Sequence, residues 1–158
     1  MSATAVCVYS ARNHALRSGV VSNSAELRLE TVEGSGLRFR VRAGSGTETV
    51  TDSGPGMTAP TPVELLLVAA ATCSAADVVV ILKKQRVRLA GLEVAVRGTR
   101  RETEPRRYTA IAFHFTVRGE GADEAKARRA VALSIEKYCS VVASLAPDIS
   151  ITYDVTVA

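Results

Sequence analysis

Apolar and polar residues alternate in several segments of the chain, and each alternation predicts a β-strand with one apolar face. Near the start, ELRLETVEG and LRFRVRA follow this pattern and are joined by GSG, which predicts a hairpin. TETVT is a short third candidate, and ISITYDVTV predicts a last strand near the end of the chain. The alternation places Leu27 and Leu29 on the apolar face of the first strand. The second strand carries Arg38 and Arg40 on its polar face.

The middle of the chain predicts a longer β-hairpin over residues 91–119. The apolar face of its first strand carries Leu92, Val94 and Val96, and that of its second strand carries Ile111, Phe113, Phe115 and Val117. Glu104 and Pro105 mark the turn between the two strands.

A long helix is predicted over residues 61–86. Thr61 suits the N-cap, Pro62 the first helical position, and Glu64 the capping-box position three residues after the cap. Basic residues lie at its end, where the helix dipole favours them: Lys83, Lys84 and Arg86. Between its ends the helix is apolar nearly all round, which predicts burial on every side. A single small domain has difficulty covering such a helix, so we expect a second copy of the chain to help.

A second helix is predicted over residues 122–138, and it is amphipathic. Its apolar stripe contains Ala127, Val131, Ile135 and Tyr138. A break near Cys139 precedes a short helical turn, SVVASL, which Pro147 ends.

Together these elements predict an α+β fold in which an antiparallel sheet is wrapped around a long buried central helix. At 158 residues the chain is long enough for one domain with a sizeable core. We place this domain at residues 25–158 and expect residues 1–24 to be a disordered leader. The apolar run at residues 65–82 approaches membrane-spanning length, but Asp77 lies within it, so a soluble protein without membrane contact is expected.

The cysteines and the net charge narrow the class of protein. Cys7, Cys73 and Cys139 form an odd, widely spaced set without a CxxC motif, which indicates a reducing compartment, and we expect the cytoplasm. The first residues lack the features of a secretory signal. The net charge of +4 is spread along the chain between acidic residues, as is typical of a solvated surface.

Several kinds of site are not expected. Two histidines and three separated cysteines match no zinc motif, so neither a metal nor a cofactor is predicted. His114 is interpreted as a solvated or hydrogen-bonded surface residue. Five arginines cluster in the hairpin: Arg97, Arg100, Arg101, Arg106 and Arg107. With Tyr108 as the one aromatic residue close by, this cluster does not favour nucleic-acid binding.

Two cysteines are candidates for redox chemistry. Cys73 lies in the apolar helix, where a packed core residue is the usual role, and Asp77 one turn later disfavours a thiolate unless an arginine compensates. Cys139 follows Lys137 and lies where a short helix begins, and both features favour a thiolate. A dithiol pair and two packed core cysteines therefore both remain open.

The segments TPVELLLVAAATCSAADVVVILKK and LSIEKYCSVVASL resemble the OsmC/Ohr family of thiol-dependent peroxidases, and most closely its OsmC-like subgroup. The resemblance covers residues 25–157. It implies an intertwined homodimer in which two sheets wrap paired central helices.

The resemblance also implies roles for the two cysteines. Cys73 matches the family cysteine that attacks a hydroperoxide and becomes a sulfenic acid, and Cys139 matches the one that resolves it as a disulfide. A dithiol reductant, such as a lipoyl group, then reduces that disulfide. An apolar pocket favours organic hydroperoxides over hydrogen peroxide.

The chain departs from the family pattern directly after the motif proline. Val63 stands where the family has a glutamate that works with an arginine to activate the thiolate and the peroxide. Glu64 is one residue further, turned by about 100° around the helix, and is interpreted as a capping-box residue. Arg38 and Arg40 are the candidates for the arginine.

We therefore expect a homodimeric thiol redox enzyme that reduces small organic hydroperoxides through Cys73 and Cys139. Its supporting candidates are Glu64, Arg38, Arg40 and Asp77. An alternative, favoured by Val63, is a protein of the same fold that binds a small apolar or electrophilic ligand with little peroxidase activity. A third is a structural dimer with buried cysteines.

Overall fold

The computed structural model describes residues 23–30 and 36–158. The predicted leader at residues 1–24, with Cys7, lies outside the described residues except for its last two positions. The chain forms two compact units that divide between Pro62 and Val63.

The first unit contains a three-stranded antiparallel sheet in the order β1-β2-β3. Its strands are β1 (Ala25–Glu30), β2 (Arg38–Ala43) and β3 (Glu48–Asp52), so all three strands predicted in this part of the chain are confirmed. Leu27 pairs with Val41, yet its side chain is 66% exposed, because β1 is an edge strand whose described side chains are all exposed. The pairing with Val41 is consistent with the predicted apolar face of β1, although this face is not covered at Leu27 in the described residues.

The loop after β3 is organised by a buried carboxylate. Asp52 accepts hydrogen bonds from the backbone N–H groups of Gly54 (3.0 Å) and Thr58 (3.3 Å). The bond from Gly54 is the main reason why the pKa of Asp52 lies below its usual value, and the bond from Thr58 and the charge of Arg38 act in the same direction. Arg38, at the start of β2, also donates to Thr58 Oγ1 at 2.6 Å, so its side chain contacts this loop.

All of α1 (Pro62–Lys84) except its first residue belongs to the second unit, and it confirms the predicted helix to within two residues at each end. One face of α1 is buried, and its buried residues are Ala70, Ala71, Ser74, Val78 and Leu82. On the other side Leu66, Val68 and Val80 are 39–50% exposed. The core of a single chain covers one face of α1, so the rest of the predicted burial depends on the second copy of the chain, which stays a prediction.

By length and composition, α1 is the one helix of the described residues that could cross a membrane. Its buried face is part of the core of the second unit. It is the core helix of a soluble fold.

A second sheet contains β4 (Arg88–Arg100), β5 (Tyr108–Glu120) and β6 (Ser150–Val157). The β4–β5 hairpin is antiparallel, with Val94 opposite Phe115 and Val96 opposite Phe113, so the two predicted apolar faces coincide. The β5–β6 pair is parallel, however, and the expectation of purely antiparallel pairing is corrected here. The reason is the helical connection between β5 and β6, which returns the chain to the end of the sheet where β5 begins.

That connection departs from the single helix predicted over residues 122–138. It contains α2 (Glu124–Leu133), a five-residue π-turn (Ser134–Tyr138) and α3 (Ser140–Ala143). The N–H of Cys139 donates to the carbonyl of Ser134, five residues earlier, at 2.8 Å. Because this wider turn breaks the 3.6-residue period, Tyr138 leaves the apolar stripe and is 50% exposed.

The core of the second unit lies between the apolar face of the β4–β6 sheet and the two longer helices. Its fully buried side chains come from all of these elements: Val78, Leu82, Ile111, Phe115, Val117, Ala127, Ala130 and Val131. The π-turn and α3 follow directly on α2, so they join this core at its edge. This arrangement brings the segment around Cys139 against the middle of α1, where the candidate site lies.

Candidate dithiol site

Cys73 lies at the middle of α1 and is partly buried. Leu66 and Val80 are seven residues before and after it, which places all three on the same helical face, and both of these neighbours are exposed. The sulfur of Cys73 therefore lies at the boundary between the core and an exposed apolar face.

Cys139 lies between the π-turn and α3, and it is 2% exposed. Its backbone is extended (φ −67°, ψ 102°), which ends the π-turn and lets the next helix start in a new direction. The N–H of Val142, in the first turn of α3, donates to the Cys139 sulfur at 3.5 Å. The predicted break at Cys139 is confirmed, and it directs this thiol into the core.

The fold brings Cys73, Asp77 and Cys139 together although the sequence separates them by up to 66 positions. The two sulfurs and one Asp77 carboxylate oxygen all lie within 4.8 Å of one another. Both cysteines are free thiols. A disulfide has an S–S distance of about 2.05 Å, so the two sulfurs would have to approach one another by up to about 2.75 Å to form one.

Two buried serines contact Cys139 and Asp77. Ser74 donates from its hydroxyl to the sulfur of Cys139 at 3.2 Å. The hydroxyl of Ser134 lies 3.1 Å from an Asp77 carboxylate oxygen and 3.2 Å from the carbonyl oxygen of Ser74, and it can donate to either. Both serines are fully buried, so each hydroxyl has its partners within the site.

Burial raises the pKa of Cys139, and this effect outweighs the hydrogen bonds from Ser74 and Val142 that lower it. The neighbouring Cys73 thiol raises the same pKa further. The expectation that the start of α3 and Lys137 favour a Cys139 thiolate is corrected here. Lys137 directs its ammonium group to the ring of Tyr138, 5.5 Å from the ring centre.

The structure describes other contacts for several of the remaining predicted residues. Arg40 belongs to the first unit, where it forms an exposed ion pair with Glu48 at 3.5 Å. Val63 is partly buried against the core, and its carbonyl accepts a hydrogen bond from the Tyr108 hydroxyl at 2.9 Å. Burial raises the pKa of Tyr108, and the charge of Glu64 raises it further. The roles predicted for Glu64, Arg38 and Arg40 beside Cys73 stay predictions.

Outside the site, Arg107 of the arginine cluster pairs with Asp148, and Arg101 donates to the carbonyl of Pro105. His114 lies within hydrogen-bonding distance of the Thr156 hydroxyl, at 3.3 Å, as expected for a hydrogen-bonded surface histidine.

Sequence reasoning missed Ser74 and Ser134. The available signal was a polar residue on the face of a helix that otherwise buries apolar groups, since such a hydroxyl needs a partner. The combination of Cys73, Cys139 and Asp77 as possible metal ligands was also missed, because sequence motifs for metal sites consist of closely spaced ligands and Cys139 lies 66 residues from Cys73.

The family assignment follows from this geometry and from comparison with known proteins. The sequence model of the family described as OsmC-like protein matches residues 53–154, a range that contains both cysteines, both serines and Asp77. The chain belongs to the OsmC-like family.

Known relatives and solved structures agree with this assignment. The chain is 43% identical to Protein YhfA of Escherichia coli strain K12 over 128 residues, which cover 81% of this chain and 94% of YhfA. A hypothetical protein from Aquifex aeolicus is 32% identical, with a TM-score of 0.74 and coverage of 88% and 99%. The organic hydroperoxide resistance protein OsmC from Legionella pneumophila shares the fold at 16% identity, with a TM-score of 0.64 and coverage of 87% and 98%.

Proposed function

We propose that this OsmC-like protein is a two-cysteine thiol enzyme that reduces organic hydroperoxides. The observation that carries the proposal is the proximity of two free thiols, Cys73 and Cys139, within 4.8 Å across a wide separation in sequence. The name of its Legionella relative in fold, an organic hydroperoxide resistance protein, supports the same substrate class.

The different environments of the thiols support different roles. Cys73 is partly exposed, so its sulfur can meet a substrate, whereas Cys139 is enclosed and suits a resolving role. The exposed Leu66 and Val80 on the face of Cys73 favour a substrate with an apolar substituent over hydrogen peroxide.

The proposed reaction has two steps in the protein. The Cys73 thiolate attacks one peroxide oxygen, the O–O bond breaks, and the products are a Cys73 sulfenic acid and an alkoxide, which takes up a proton to become an alcohol. The Cys139 thiol then attacks the sulfenic sulfur, which forms the Cys73–Cys139 disulfide and releases water. A dithiol reductant, for example a lipoyl group, then reduces both cysteines to thiols and is itself oxidised to a disulfide.

A homodimer is part of the proposal. The exposed apolar side chains of α1, Leu66, Val68 and Val80, are the kind of surface that a second copy of the chain buries. The cytoplasm remains the expected compartment, because free thiols are maintained there.

The test uses the reduced protein with one equivalent of cumene hydroperoxide, followed by disulfide mapping with mass spectrometry. We expect a Cys73–Cys139 link and an equal amount of the alcohol. Cys139→Ser should stop at a Cys73 sulfenic acid that a 1,3-dione reagent traps, because no resolving thiol remains.

The matched control is Cys7→Ser, which should form the link as the natural sequence does. If Cys73 remains a free thiol after exposure to the hydroperoxide, the proposal fails and the ligand-binding alternative gains support. A link that forms equally well in Cys73→Ser, through Cys7, contradicts the assignment of Cys73 as the attacking residue.

A further inference from the structure

We propose that Cys73, Asp77 and Cys139 form a binding site for one thiophilic divalent cation of the Zn²⁺ type when both cysteines are reduced. The three side chains supply two sulfur ligands and one carboxylate oxygen. Sulfur ligands of this kind select Zn²⁺ over Mg²⁺ and Ca²⁺, which prefer oxygen ligands only.

The distances suit this coordination. Two sulfurs bound to a tetrahedral Zn²⁺ at 2.3 Å are about 3.8 Å apart. The three ligand atoms lie within 4.8 Å of one another, so each pair needs to approach by no more than about 1.3 Å. A disulfide between the same sulfurs requires a larger movement, since its S–S distance is about 2.05 Å.

Groups around the three ligands support them in the manner of an outer coordination shell. The Ser134 hydroxyl is within hydrogen-bonding distance of one Asp77 oxygen, at 3.1 Å, and Ser74 donates to the Cys139 sulfur at 3.2 Å. In metal sites, hydrogen bonds of this kind orient the ligands and hold them in place. Both serines are fully buried, so their hydroxyls bond to groups of the site and not to solvent.

The negative charges of Asp77 and of the two thiolates also favour a bound cation. Asp77 is poorly placed for redox chemistry alone, because its carboxylate lies close to the thiolate that Cys73 must form. A divalent cation removes this conflict, since two thiolates and a carboxylate balance its charge and leave one negative charge in total. Three protein ligands leave a fourth position for water or an external thiol.

The cation and the disulfide exclude one another, because each uses both sulfurs. This consequence rests on the proposed function, whereas metal binding itself does not. Two metal-bound thiolates, one hydroperoxide and two protons give the disulfide, one alcohol and one water, and the cation leaves the site. Hydroperoxide should therefore release the bound metal, and bound metal should delay disulfide formation.

The test uses the full chain carrying Cys7→Ser, reduced, freed of metal and kept without oxygen. Zn²⁺ is titrated in competition with a chromophoric chelator, and Co²⁺ serves as a probe because thiolate ligands give it charge-transfer absorption. We expect one Zn²⁺ per chain with submicromolar affinity. Cys73→Ser, Cys139→Ser and Asp77→Asn should each weaken binding at least about tenfold.

Asp148→Asn is the matched control, because this exposed carboxylate pairs with Arg107 and belongs to no site, and it should bind Zn²⁺ as tightly as the reference protein. Circular dichroism verifies that each variant is folded. Undiminished Zn²⁺ binding in the Cys73→Ser/Cys139→Ser double variant overturns the inference. It is also overturned if the reduced reference protein binds no Zn²⁺ when the Zn²⁺ concentration is 100 times the protein concentration. Metal binding without hydroperoxide-driven disulfide formation overturns the proposed function alone, and the reverse result overturns the metal site alone.

Discussion

The two cysteines of this OsmC-like protein are presented by segments of opposite character. Cys73 lies in a regular helix of 23 residues, on a face where apolar side chains remain exposed. Cys139 lies where α2 passes through a π-turn into α3, and the irregular backbone directs its sulfur into the core. Regular structure thus keeps one thiol near the surface, and irregular structure encloses the other.

This difference supports the proposed roles of the two thiols better than the thiolate that the sequence predicted at Cys139. Helix ends and cations near Cys139 suggested an activated thiolate there, but burial dominates and raises its pKa. The enclosed thiol is better suited to attack a sulfenic acid formed beside it than to meet a substrate from solution.

Iodoacetamide should alkylate Cys73 at least about a hundredfold faster than Cys139, because Cys139 reacts only when its enclosure opens. The measurement is peptide-resolved mass spectrometry on the reduced protein over time. In concentrated denaturant the two rates should converge, which controls for intrinsic reactivity. Equal rates in the folded protein would remove the distinction between an accessible and an enclosed thiol.

Ser134→Ala should destabilise the fold by about 1–3 kcal/mol, because it removes the buried hydroxyl that donates either to the partly buried Asp77 carboxylate or to the buried carbonyl of Ser74. Urea unfolding measures the change. Ser140→Ala, at an exposed position of α3, is the matched control and should stay within about 0.5 kcal/mol of the natural protein. If both variants lose the same stability, the Ser134 hydroxyl does not support the enclosure of Cys139.

The regular features of the fold could be predicted because they depend on neighbouring residues. The period of two located the strands, and the apolar run with Pro62 at its start located α1. The parallel direction of β6 could not be read in this way, since strand direction depends on the path of the connection. The π-turn was missed because a change from an i→i+4 to an i→i+5 hydrogen bond leaves little trace in the sequence.

The site was predicted only in part, and for a similar reason. The position of Cys139 at a break between helices followed from local pattern, but its pairing with Cys73 came from the family resemblance. The hydrogen bond of Ser74 joins residues 65 positions apart, and those of Ser134 join residues 57 and 60 positions apart. They therefore form only when the helices pack together. The pKa of Cys139 is raised mainly by burial, which likewise depends on segments distant in the sequence.

Stability should fall at alkaline pH partly through Cys139. Its folded pKa is raised, so its contribution is complete below the ordinary value of 9.0 and is lost as the pH rises through the folded pKa. The stability deficit of Cys139→Ala relative to the natural protein should therefore shrink above pH 9.0. Urea unfolding across this pH range under reducing conditions measures the trend.

Val131→Ala provides the control for this pH dependence, because it removes buried volume from α2 without removing an ionisable group. Its stability deficit should not vary in the same pH range. A Cys139→Ala deficit that grows above pH 9.0 would mean that the folded protein stabilises the thiolate, and the contrast between the two cysteines would be reversed.

Ser74→Ala should have the smallest effect on stability, about 1 kcal/mol. It removes the hydroxyl that donates to the Cys139 sulfur at 3.2 Å, so the pKa of Cys139 should rise further and disulfide formation should slow several-fold. Attack by Cys73 on the hydroperoxide should keep its rate, because the Ser74 hydroxyl donates to the other sulfur. Single-turnover kinetics, with dione trapping for the first step, separate the two rates.

Thr72→Ala, at an exposed position of the same helical turn, should change neither rate. If Ser74→Ala slows both steps equally, Ser74 supports α1 as a whole, and the two thiols are less independent than their environments indicate.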